Sequence, residues 1–263
     1  MEHDNRKVER CFAAVGVNRF SRRVVDPVFV IEQGECESTV PPVIGNCGVA
    51  GDLFIHLFTG IHYALDSIGP TEIMGQGGLR YWKDGRDVED VVLGLFDYPE
   101  TENHPAFSLA LQVNLADGGG GENSFKFIGD EGVITVGWNG LTLNRSPRYV
   151  ESEKDLVEGY NSVFTWAKEE RDAFVEAYRR ENPTPPKREE PVTESFEAPN
   201  FYDSRYDHFV NFFESVRTGK PTNEDPVFGY RAAAPSLMSN LSMWEKKIYL
   251  WDPVAMKVVN GAS

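Results

Sequence analysis

GDLFIHLFTGIHYALDSIGPTEIMGQGGLRYW, residues 51–82, changes its period at Thr71, and that change decides the fold. As far as Pro70, large apolar residues recur at helical spacing. At 100° per residue, Phe54, Leu57, Phe58, Ile61, Leu65 and Ile68 share one wide side. His56, Thr59, Tyr63 and Asp66 all fall within about 40° of Asp52 on the opposite side. His62 stands off that polar stripe. The Gly69-Pro70 pair predicts the end of the helix. From Thr71 the apolar residues alternate, which is the signature of a half-buried strand.

Alternation continues downstream. EDVVLGLFDY (89–98), SLALQVNLA (108–116), SFKFIG (124–129), GVITVG (132–137) and LTLNR (141–145) all read as strands. Asp84-Gly85, Asp130-Glu131-Gly132 and Asn139-Gly140 supply turn chemistry between them. Connections this short imply antiparallel pairing, so residues 71–145 predict one antiparallel meander.

Helical signals then return. Residues 153–182 have helix-forming composition, and 182–200, rich in Pro and Glu, predict an extended surface loop. In 203–219, Ser204 is the expected cap, Phe209, Phe212, Phe213 and Val216 form an apolar face, and Gly219 stops the helix. Residues 228–247 predict a helix kinked at Pro235, and IYLWDP (248–253) a closing strand. Residues 1–45 hold a short apolar run at 27–31 amid Gly, Ser and Pro, and read as an irregular lead-in. The order helix, sheet, helices predicts an α+β fold with helices on one face of a mostly antiparallel sheet. That domain spans 46–255, with 256–263 as a tail.

Composition narrows the function. The chain has 263 residues, 41% of them hydrophobic, and a formal net charge of −15. It has no dense basic cluster, so nucleic acid is excluded as a partner. No apolar run reaches membrane-spanning length, and the charged N-terminal residues do not read as a secretory signal. Three cysteines, Cys11, Cys36 and Cys47, without a Cys-x-x-Cys pair, argue against a disulfide framework or a structural metal site. They point to reduced thiols and a cytoplasmic location.

Asp52 and His56 are the candidate catalytic residues. Spaced four apart on a helix, a carboxylate and an imidazole can orient one bound hydroxyl, and a neighbouring carboxylate fixes the tautomer of a proton-transferring His. The competing reading is a solvated polar stripe. No metal ligation is expected, because His-x₅-His is not a metal spacing on a helix. Lys83 to Arg86 read as a charged hairpin turn, His104 as exposed, and His208 as a packing or surface residue.

These residues bear a family likeness. Gly51-Asp52-x-x-x-His56 opening a helix before a sheet resembles the second domain of the glucose–fructose oxidoreductase and inositol dehydrogenase family (Gfo/Idh/MocA). FIGDEGVITVG (127–137) is similar to that family's G-x-E-G hairpin. GGLRYWKDGRDVEDVVLGLFDYP (77–99) is similar to its strand, Asp-Gly-Arg loop and strand. DHFVNFFESVRTGKPTNEDPVFGYRAA (207–233) and WEKKIYLWDP (244–253) are similar to its late helices and C-terminal ending. The resemblance implies a substrate domain of an enzyme that uses NAD or NADP to act on a hydroxyl carbon of a sugar, cyclitol or related compound. It implies His56 as acid/base, Asp52 as its orienting partner or a substrate contact, and homo-oligomers through the open sheet face.

The chain departs from the family in one large respect. It shows no strand–GxGxxG–helix unit and no E-K-P motif, and its glycine run at 117–123 sits between strands, where a flexible hairpin loop is expected. No cofactor-binding residue is assigned, no cofactor is expected to bind this chain alone, and it reads as catalytically incomplete, the product of a truncated or split gene. Two alternatives remain open: a non-catalytic binding or assembly module derived from that domain, and a cofactor-free hydrolase using Asp52 and His56.

Overall fold

The computed structural model describes residues 48–116, 124–146, 152–160, 162–183 and 190–259. The lead-in 1–45 with its apolar run at 27–31, the three cysteines and the glycine run 117–123 lie outside these residues.

Helix α1 (Ile55–Leu65) is entered through a π-helical stretch, Ala50–Phe54. It ends before the Gly-Pro pair. Asp66 turns left-handed at φ 51, and its N–H and that of Ser67 donate to the His62 carbonyl. Strands β1 (Glu72–Gly78), β2 (Val91–Tyr98) and β3 (Phe107–Asn114) then pair antiparallel in chain order.

The expected single meander is two sheets. β4 (Phe125–Gly129), β5 (Gly132–Val136) and β6 (Gly140–Arg145) form a separate sheet with β7 (Val192–Glu197). Alternation marks a strand but does not say which neighbour it hydrogen-bonds, so the break after β3 leaves no periodic trace. β7 lies in the stretch expected to be an extended loop. Its residues are exposed apart from half-buried Phe196, as an edge strand allows, and its two glutamates blunt that edge.

The stretch 153–182 divides into α2 (Glu153–Glu158), a 3₁₀ turn at Val163–Thr165 and α3 (Lys168–Glu181). Arg179 Nε donates to Glu153 Oε2 at 2.8 Å and ties α3 to α2. Helix α4 (Ser204–Thr218) is capped by Asp203, one residue before the expected Ser204, and ends at left-handed Gly219. None of its residues is buried, the phenylalanine face included. Helix α5 (Pro226–Glu245) starts at an Asp225 cap and carries Pro235 inside it. β8 (Tyr249–Asp252) pairs with β1, and within the expected tail Lys257 and Val258 form β9 beside β8, giving the order β3-β2-β1-β8-β9.

The fold is α+β, with α1 and α5 on one face of the five-stranded sheet. Phe54, Phe58 and Ile61 of α1 and Ala232 and Met238 of α5 pack on Ile73, Val92, Phe96, Leu109 and Leu111. α5 comes close because β1 presents glycine to it. A Cβ on Gly75 would meet the Ser239 carbonyl oxygen, and the Gly75 N–H donates to Ser242 Oγ at 2.8 Å.

Candidate functional site at the start of helix α1

The burial pattern of α1 follows its wheel. Phe54, Leu57, Phe58 and Ile61 are buried, while Asp52, His56, Tyr63 and Asp66 are exposed. Asp52 sits in the π-helical stretch and His56 in the first α-helical turn, a junction of the kind that recurs at functional sites. Two members of the stripe are already engaged. Thr59 Oγ1 donates to the Ile55 carbonyl at 2.9 Å, and Asp66 Oδ2 accepts from Asn103 Nδ2 at 2.8 Å. Asp52 and His56 make no side-chain hydrogen bond among the described residues, to each other or to a third group. Their ring nitrogens and carboxylate oxygens are free to meet a ligand hydroxyl. Gly60 faces Phe125, so β4 of the second sheet runs beside the stripe.

His62, off the stripe, is a core residue at 1% exposure. Its Nε2 shares a 2.9 Å hydrogen bond with the Tyr98 hydroxyl. Burial, then the charges of Arg231 and His104, lower its pKa from 6.5 to about 3, so it is neutral. Burial holds the Tyr98 phenol well above its usual range. Tyr98 stacks on Phe107 at 4.3 Å, and Phe107 meets the ring of His104 at 5.2 Å. His104, expected to be exposed, is buried, with Nδ1 bound to the Pro105 carbonyl at 2.8 Å. His208 is exposed on α4.

The turn at 83–86 is closed on itself. Arg86 reaches both carboxylate oxygens of Asp84, at 2.9 and 2.6 Å, and lies over Trp82 at 4.6 Å. Asp90 was not singled out by its sequence, where it reads only as the start of the strand 89–98. It is 1% exposed, and its carboxylate accepts from the N–H groups of Arg80, Tyr81 and Trp82 at 2.6, 2.7 and 2.9 Å. Burial raises its pKa, and the three backbone donors outweigh that and hold it below the usual carboxylate range.

Among the described residues no three of His, Cys, Asp and Glu gather as a metal site, and no helix is long and apolar enough to cross a membrane. Every described strand pair is antiparallel, so these residues contain no parallel βαβ crossover to cradle a dinucleotide.

No protein-family model and no curated protein matches the chain. Solved structures do. An oxidoreductase of Thermotoga maritima, provisionally assigned as such, is 12% identical with a TM-score of 0.54, covering 91% of this chain and 60% of its own. A myo-inositol dehydrogenase of Corynebacterium glutamicum is 14% identical with a TM-score of 0.50, covering 98% and 64%. A provisionally assigned myo-inositol dehydrogenase of Sinorhizobium meliloti is 13% identical with a TM-score of 0.50, covering 91% and 61%. The chain therefore spans about 60% of the length of the structures it matches. Across its described residues, the chain has the fold of a part of these oxidoreductases.

Proposed function

We propose that this chain is the substrate-binding and oligomerising domain of an NAD(P)-dependent oxidoreductase that acts on a hydroxyl carbon of a sugar, cyclitol or related compound. The observation that carries the reading is the unengaged Asp52–His56 pair, exposed at the π-to-α junction of a helix whose other side is core. The structural likeness to myo-inositol dehydrogenases supports it.

On this reading His56 takes the proton of the reacting hydroxyl through a ring nitrogen, and Asp52 orients the ring or a neighbouring hydroxyl. Four residues apart at the start of one helix, the two can grip adjacent hydroxyls of one ring. The cofactor is held by residues other than those described, and the chain by itself is catalytically incomplete. The outer face of the five-stranded sheet, where Met74, Leu93 and Leu95 stand exposed, is the surface through which copies associate.

Titration of the full chain with myo-inositol and simple aldoses, followed by ligand-observed NMR, tests the site. Binding is expected in the wild type and lost in Asp52→Asn and His56→Asn variants of unchanged stability. Binding that survives both substitutions would sink the assignment. A calorimetric titration with NADH and NADPH is expected to show no heat, and specific binding would overturn the placement of the cofactor outside the described residues.

A further inference from the structure

The second sheet carries a cleft of about 640 Å³, within the size range of small-molecule sites. β6 and β7 form its floor. Thr142 pairs with Ser195 and Gly140 with Glu197, so the side chains of Thr142, Ser195 and Glu197 emerge on one sheet face. The chain after β7 folds back as the opposite wall. The Ala198 N–H donates to the Asn139 carbonyl at 2.7 Å, and the Tyr202 N–H to the Pro199 carbonyl at 3.0 Å, so both walls are fixed by backbone bonds.

Phe201 lines the cleft and has two unusual properties. Its backbone is left-handed at φ 65, which costs a bulky residue about 1–2 kcal/mol, and its ring is fully exposed. Trp138, next to the lining residue Asn139, is 81% exposed. Neither burial nor packing repays the strain at Phe201, and strain of that kind collects at ligand-clamping positions.

The lining selects the ligand class. Among the described lining residues there is no Lys, Arg or His and one carboxylate, Glu197, in a chain of net charge −15. Phosphates and carboxylates are repelled by such a surface. What it offers is hydroxyls, amides, one strong acceptor and an aromatic face with negative quadrupole. That set matches a ring with hydroxyls on its rim and polarised C–H groups on its face. We infer that the cleft between the β6–β7 face and the Ala198–Tyr202 turn binds a neutral saccharide. It is distinct from the α1 site. β4 is the strand beside α1, and β6 and β7 lie two and three strands further, about 10–14 Å away.

The test is calorimetry on the full chain with maltose, cellobiose and lactose, three neutral disaccharides of different linkage or sugar. At least one is expected to bind. Phe201→Gly removes the ring and suits φ 65, so the fold is kept. It is expected to weaken binding about tenfold or more, as is Glu197→Gln, while an Asp52→Asn, His56→Asn double variant binds like the wild type. Binding unchanged by Phe201→Gly overturns the inference. Binding abolished only by the double variant also overturns it and places the saccharide at α1. No heat from any of the three disaccharides overturns it too, and leaves the α1 proposal to its own titration with monosaccharides and inositol.

Discussion

His62 and Asp90 are both buried, and they respond to acid in different windows. His62 is neutral in the folded chain, with a pKa near 3, whereas the unfolded chain binds its proton below 6.5. The unfolded state therefore holds more protons between those values, and stability falls as pH drops below 6.5, by up to about 1.4 kcal/mol per pH unit. Urea unfolding at pH 7.5 and pH 5 is expected to show this loss, and His62→Gln, which keeps a partner for Tyr98, to flatten it. An equal slope in the variant would assign the acid lability to other groups. Asp90 responds in the same sense but in a more acidic window. Its folded pKa is depressed, so its contribution is full above the usual carboxylate range and fades only as pH falls through that range and below. Asp90→Ala leaves three part-buried N–H groups without their acceptor and is expected to cost about 1 kcal/mol or more at neutral pH, read from the same unfolding curves. The two residues also differ in how far their sequence exposes them. His62 stood off the polar stripe, which is a sign of burial. Asp90 sat in a run of charges, and only the folded turn at 80–82 reveals its donors.

At the scale of elements, the sheet–helix contact turns on glycine. Gly75→Ala drives a methyl into the Ser239 carbonyl and pushes α5 off β1, with an expected loss of about 1–3 kcal/mol or more by thermal unfolding. An unchanged melting temperature would show that α5 shifts freely. MGQGG reads from sequence as part of the strand that begins at Thr71, and its glycines make sense only once Ser239 and Ser242 lie across them. Elements with strong local codes were legible: α1 by its wheel, β1 to β6 by alternation and turn residues, α4 by its Gly219 stop. The partition into two sheets and the strand β7 were not, because pairing is decided between distant segments and Val192–Glu197 has too little apolar content to announce itself. The exposure of Asp52 and His56 follows from the wheel alone, whereas the π-helical entry that presents Asp52 does not.

Across the whole molecule, a net charge of −15 opposes self-association while Met74, Leu93 and Leu95 on the outer sheet face favour it. Sedimentation is expected to show a dimer or larger species that strengthens as ionic strength rises from about 20 to about 300 mM, since salt screens like charges. Leu95→Lys is expected to give a monomer with an unaltered fold, and a wild type monomeric throughout that range would remove this face as an interface. The place of β8 between β1 and β9 has a further consequence for how the chain reaches its native state. β1 waits for β8 as its second partner, and the Gly75–Ser242 bond beside it joins residues 167 positions apart. During ribosomal synthesis, the β1–β2–β3 hairpins emerge early with one edge of β1 bare, and stay so until the late segments arrive. The nascent chain thus carries an unpaired strand edge for most of its translation, a template that chaperones must shield and other nascent chains can capture.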